Sequence, residues 1–153
     1  MPNTLLPVPH KRQRQDADCL AACAAMVLAH SGQQVDYDQL LKLLQVKSYG
    51  TSGRHLKNLT ALGVQIIYRE GSLDELKSYL LDGKPCIALV RTAELPYWTY
   101  STDHAVVVVG FNEDTIYLND PAFEAHPQSV PTTAFELAWM EFDYRYSVIV
   151  PKS

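Results

Sequence analysis

The sequence predicts an α+β fold, with most helices ahead of most strands. Three features of its 153 residues point there. Residues 18–29 would form a helix apolar on nearly every side, and such a helix belongs inside a fold. Residues 105–111 and 115–118 are apolar runs around Asn112-Glu113-Asp114, a hairpin pattern. The segments also fail to alternate strand with helix, as a parallel α/β sheet would require.

Taken in order, Pro2, Pro7 and Pro9 keep residues 1–12 extended. The apolar helix follows and stops at Gly32. Asp36 reads as the cap of a second helix over about 37–44. Ser52 caps a third, running through Leu62 and ending at Gly63. Residues 64–68 read as a strand. Ser72 precedes a fourth helix over 73–81, closed by Asp82-Gly83. A short apolar strand covers 85–90, and the hairpin comes next. A helix over about 132–140 and a strand over 144–150 complete the chain. At this length a single domain over 1–153 is expected.

Composition narrows the function. The chain is 47% hydrophobic and 20% charged, with a net charge of -4. No polybasic face suggests nucleic acid, and Lys11-Arg12-Gln13-Arg14 reads as a solvated surface. No apolar stretch is long enough for direct membrane insertion. The N-terminus lacks the pattern of a signal peptide, so the expected location is cytoplasmic. Three cysteines, an odd number, argue for thiols rather than a disulfide framework. No cofactor is expected. A metal is not expected either: Cys19 and Cys23 share a helix face, but no ligand cluster completes four positions around them.

Cys19 lies in the first turn of the buried helix. Unpaired N–H groups and the helix dipole favour a thiolate there, although a packed core thiol is the alternative. Cys23, one turn deeper, should be inert. A base must come from five histidines. His10 is in the extended arm, His55 on a surface-like helix and His126 in a loop. His30 is on the order of 16 Å from Cys19 along the helix axis. His104 immediately precedes Ala-Val-Val-Val-Val-Gly, a strand apolar enough to be central. A strand is a rigid mount for a base.

With a turn at Asn112–Asp114, His104 falls opposite or diagonal to Asp120 on the neighbouring strand. A carboxylate on one ring nitrogen fixes the tautomer and leaves the other for a thiol. Asn119 is the competitor, but strand alternation points it to the other face. Asp120 precedes Pro121, so a simple turn acid remains the plain alternative. Acyl transfer also needs an oxyanion donor. Gln13 is placed for that role in the loop entering the helix, with Gln15 as the alternative.

Gln13-x4-Asp18-Cys19-x2-Ala22-Cys23-x2-Met26 followed by Ser31-Gly32 resembles the start of the bacteriocin-processing peptidases, which remove double-glycine leaders. Asp103-His104-Ala-Val-Val-Val-Val-Gly and Asn119-Asp120-Pro121 resemble that family's later His and Asp motifs, in the family's order. The resemblance implies a papain-like fold, a Cys19–His104–Asp120 triad and Gln13 in the oxyanion hole. One departure is Leu20, where many members have Gly after the catalytic Cys. It would reshape the cleft beside the nucleophile.

The expected function is therefore a cysteine endopeptidase. It would cut an extended peptide or leader after a small residue, Gly above all, through a thioester acyl-enzyme. Leu20 and the Tyr97-Trp98 segment would crowd the cleft as substrate-binding residues, unless that segment is ordinary aromatic packing. A second departure is that the best-known members are N-terminal domains of membrane exporters with an ATPase, whereas this chain is expected to be a stand-alone member, with a peptide or protein substrate and a separate exporter as candidate partners. A non-catalytic peptide-binding module and a thiol acyl transferase are the alternatives.

Overall fold

Helix α1, Cys19–His30, is the spine of the molecule, and eight of its residues from Leu20 to Leu28 are buried. The structure, a computed structural model, describes residues 4–152. A 3-10 turn, Asp16–Asp18, leads into α1, so the α-helix begins one residue later than the sequence suggests. Asp18 does not cap it by side chain; its buried carboxylate accepts from the Tyr37 hydroxyl at 3.2 Å. Gly32 ends the helix with φ 87°, a left-handed conformation that favours glycine. From there Gln33 N–H reaches back to Leu28 O at 2.9 Å.

Helix α2, Tyr37–Leu43, follows as expected, although Asp36 makes no side-chain cap. Residues Gly53–Leu62 form a 3-10 helix where an α-helix was expected. Leu56 and Leu59 are buried and Leu62 packs on the same core. A spacing of three aligns those residues on a helix with three residues per turn, which the longer α period would not do. Strand β2, Val64–Glu70, leads to α3, Leu73–Leu81, where the Ser72 hydroxyl accepts from Glu75 N–H. Strand β3 is Cys86–Arg91, β4 is Asp103–Phe111 and β5 is Thr115–Asn119. Helix α4, Thr132–Met140, and strand β7, Arg145–Pro151, close the fold.

Two strands were not expected. Thr4–Leu5, β1, pairs with the end of β4, and Gln128–Pro131, β6, pairs with β5. Both are short, and what holds each of them is pairing to strands far away in sequence. The antiparallel sheet runs β2-β7-β3-β4-β5-β6, with β1 beside β4. Gly110 lets β1 approach: a Cβ there would lie 2.3 Å from Thr4 O.

Alternation along β4 divides the interior. Ala105, Val107 and Val109 pack with α1, α2 and the 3-10 helix. Val106 and Val108 pack with α3 and α4 on the other face. Helix and antiparallel sheet thus form an α+β architecture, as predicted, with α1 lying on one face of β4.

Candidate active site

Three chain segments meet at the start of α1. Cys19, its first residue, is partly exposed. His104 stands near the start of β4 and is 6% exposed. Asp120 directly follows β5 and is wholly buried. Val107 pairs with Asn119, so His104 and Asp120 are diagonal neighbours on one face of the sheet. Between Val108 and Gly110 a bulge shifts the register of the hairpin, a departure from the uniform pairing expected. It lies beyond the pair and leaves it aligned.

His104 Nε2–H donates to Asp120 Oδ1 at 2.7 Å. Asp120 leaves the other ring nitrogen, Nδ1, open to Cys19, which is near enough to raise the pKa of the ring. Burial works against a charged ring, but the hydrogen bond to Asp120 and the nearby Asp120 and Cys19 groups outweigh it and hold His104 up at about 9. Burial would likewise raise Asp120, yet His104, Tyr97 and the Ala122 N–H hold its carboxyl below the ordinary value. Asn119, the alternative acid partner, faces away and donates to Val8 O at 3.2 Å.

Asp120 is held by more donors than the sequence suggested. Its Oδ1 also accepts from Ala122 N–H at 2.9 Å. Its Oδ2 accepts from Tyr97 O–H at 2.7 Å and Trp98 Nε1–H at 2.9 Å. The Trp98 ring also meets His104 edge-on, with centroids 4.8 Å apart. Tyr97 and Trp98 therefore anchor the acid as well as forming a wall. Two adjacent aromatics, each with a polar tip, shortly before His104 were the available signal.

Gln13 reaches the same place through the N-terminal arm. Its N–H donates to Pro121 O at 2.9 Å, and His10 Nε2 bonds Asp120 O at 3.0 Å. The Gln13 side-chain oxygen is buried, with no hydrogen-bond partner among the described residues. Gln15, the alternative, is exposed.

Two hollows open beside His104. The first, about 700 Å³, is lined by Cys19, Leu20, Tyr68, Leu89 and His104, among others. The second, about 510 Å³, is lined by Gln13, Tyr97, Trp98 and His104, with Tyr100 and Phe123. From the sequence, Leu20 and the Tyr97-Trp98 segment are expected together in one crowded cleft. The structure places them in different hollows, because Leu20 belongs to the α1 side and the aromatics to the loop that carries Asp120's donors. Leu20 is also 97% covered by the core, so it offers little surface to a ligand.

The family model of the Peptidase_C39 like family matches residues 5–147. The chain belongs to this family. Curated relatives of the C39-like chain include the colicin V secretion/processing ATP-binding protein of Escherichia coli, 27% identical over 116 residues. Another is a probable microcin-H47 secretion/processing ATP-binding protein of Escherichia coli, 30% identical over 119 residues. Each match takes in 75% of this chain and 15% of the relative, so the C39-like chain spans a small part of these proteins' length. Among solved structures, a C39-like peptidase from Bacillus anthracis superposes with a TM-score of 0.82 at 21% identity, covering 98% of both chains. A double glycine motif protease from an AMS/PCAT transporter, solved with the leader peptide, gives 0.77 at 23%, covering 98% of this chain and 96% of that one. The peptidase domain of Streptococcus ComA gives 0.75 at 19%, covering 97% and 98%. The C39-like chain thus has the papain-like fold of these peptidase domains.

The other two thiols of the C39-like chain, Cys23 and Cys86, are buried. Burial pushes Cys23 well above its ordinary value and Cys86 up to about 12. Iodoacetamide near neutral pH is expected to modify Cys19 at least tenfold faster than either, read by mass spectrometry of the folded protein. Equal labelling of all three would contradict this. Among the described residues no group of three or more metal-binding side chains occurs, and no helix is long and apolar enough to cross a membrane.

Proposed function

We propose that the chain is a cysteine endopeptidase that hydrolyses a peptide bond following a small residue, through a thioester acyl-enzyme. The observation that carries this reading is His104, bonded to the buried Asp120 through Nε2 and lining one hollow together with Cys19.

Cys19 transfers its proton to His104, and the dipole of α1 stabilises the thiolate. The sulfur attacks the scissile carbonyl carbon and forms a C–S bond. Charge then develops on the carbonyl oxygen, where the Gln13 amide and the Cys19 backbone N–H donate to it. As the C–N bond breaks, His104 protonates the departing amine, leaving a thioester. Water next gives a proton to His104 and attacks that thioester. The acid product leaves, and the thiol is restored. Asp120 never takes the proton; it holds the ring in register and stabilises the imidazolium.

The Gln13 assignment makes a separate prediction. Gln13→Ala should fold normally, because its N–H bond to Pro121 is a main-chain contact, but lose about a hundredfold in kcat. Full kcat in that variant, with a large loss in Gln15→Ala, would move the role to Gln15.

A double-glycine leader is the substrate class this reading favours. Support comes from the family and from the solved relative bound to a leader peptide. Cleavage would take place in the cytoplasm, with export of the product by a transporter to follow. The test is a peptide library varied at the residue before the cut. Cleavage after Gly is expected; preference for a bulky or charged residue, with Gly-Gly sequences intact, would remove the leader assignment.

A further inference from the structure

Apart from Gln13 and His104, the walls of the second hollow have no role in the steps above, and they are specific enough to argue one. His104 lines both hollows, Cys19 lines only the first, and Gln13 lines only the second. In the proposed reaction the acyl part of the substrate becomes bonded to sulfur, so its residues lie on the Cys19 side. The leaving amine takes its proton from His104 and must depart on the side of the ring away from that acyl chain. The geometry points to the second hollow as the binding site for the residue immediately after the scissile bond, with preference for an aromatic or large apolar side chain.

The chemistry of the walls sets that preference. Trp98 meets Tyr100 at 5.2 Å and Phe123 at 5.1 Å, and Tyr97 meets Phe123 at 5.1 Å, all edge-to-face. Such rings offer faces and edges to a further ring. Tyr97 and Trp98 are fixed by Asp120, so that side of the hollow is rigid before substrate arrives. Tyr100, 60% exposed, leaves an aromatic surface at the rim to be covered. The charged neighbours are largely committed elsewhere: Arg14 pairs with Asp38, and Asp103 with Arg91. Arg12 bonds Ala122 O at 3.3 Å, and Asp16 carries the opposite charge nearby, so no single sign dominates.

This inference rests on the acyl-enzyme reading and can be separated from it by acceptor partitioning. Acetyl-Leu-Gly-Gly p-nitrophenyl ester acylates Cys19 and releases p-nitrophenolate. The thioester then passes either to water or to an added amino-acid amide. In the second case the amine attacks the carbonyl, the C–S bond breaks, the sulfur leaves as thiolate and the amine proton goes to His104. Product ratios are read by mass spectrometry with glycinamide, phenylalaninamide and aspartamide as competing acceptors. Capture of phenylalaninamide over glycinamide by on the order of tenfold is expected. Tyr100→Ala and Phe123→Ala should each reduce that ratio severalfold; because it is measured within each variant, a general loss of activity cancels. Equal capture of glycinamide and phenylalaninamide, preference for aspartamide, or a ratio unmoved in both variants would overturn the subsite while leaving the peptidase standing. Absence of any acylated Cys19 would overturn both.

Discussion

His104→Ala is expected to abolish turnover, lowering kcat/KM by on the order of 10⁴-fold or more while the fold persists. The imidazole is proposed to act first as base to Cys19, then as acid to the leaving amine and again as base to water, so nothing else in the site can replace it. The four other histidines lack its position: His10 bonds the Asp120 main chain, His55 bonds the Thr51 hydroxyl and His126 bonds Glu124 O, while His30 is at the far end of α1. Cys19→Ala should give a loss of the same order. The measurement is a progress curve on a cleaved peptide, with circular dichroism and thermal unfolding to establish that the variant is folded. A folded His104→Ala protein that kept most of its activity would show that another residue is the base.

Asp120→Asn should lower kcat by roughly 10²–10⁴-fold and also change the pH profile. The direction follows from the His104 shift. Its folded value, about 9, is above the ordinary 6.5. The charged ring therefore contributes stability in full below 6.5, and that contribution is lost as pH rises through about 9. Activity that depends on the imidazolium should fall over the same alkaline range. Asn removes the negative charge and leaves at most a weaker, neutral acceptor for the ring, so the alkaline limb should move down toward 6.5. A folded Asp120→Asn enzyme whose limb stayed near 9 would count against the pairing. Asp120→Ala should also destabilise the protein, because Tyr97, Trp98 and Ala122 would lose a buried acceptor, at about 1–3 kcal/mol for each donor left unpaired.

Some of this site was legible in the residues because local pattern carried it. The helix starting at Cys19 announces itself by its apolar composition, and the hairpin by its apolar runs and polar turn. Those two together bring His104 beside Asp120, and alternation sends Asn119 the other way. What was not legible depends on contacts between distant segments. Strand β1 is two residues long, and β6 is four residues ending in proline; neither has a period of its own to read. The 3-10 form of Gly53–Leu62 hides behind a Ser cap and a terminal Gly that suit an α-helix equally well. Tyr97 and Trp98 are visible as aromatics, but nothing in their spacing says that both tips converge on one carboxylate oxygen. The bulge in β4 was likewise invisible, though by lying past the pair it spared the alignment on which the site reading depended.

The N-terminal arm runs along the segment that carries Asp120 and bonds each residue from 119 to 122: Asn119 to Val8 O, His10 to Asp120 O, Gln13 N–H to Pro121 O and Arg12 to Ala122 O. All four involve a main-chain atom on at least one side, and none uses the Gln13 side-chain amide. Gln13 and Asp120 are therefore fastened to one backbone seam that exists before any peptide arrives. A substrate meeting this seam does not have to supply the ordering entropy that a loop folding around it would demand. More of its intrinsic binding energy then remains for contacts that strengthen only as the carbonyl becomes tetrahedral, which is where affinity becomes rate.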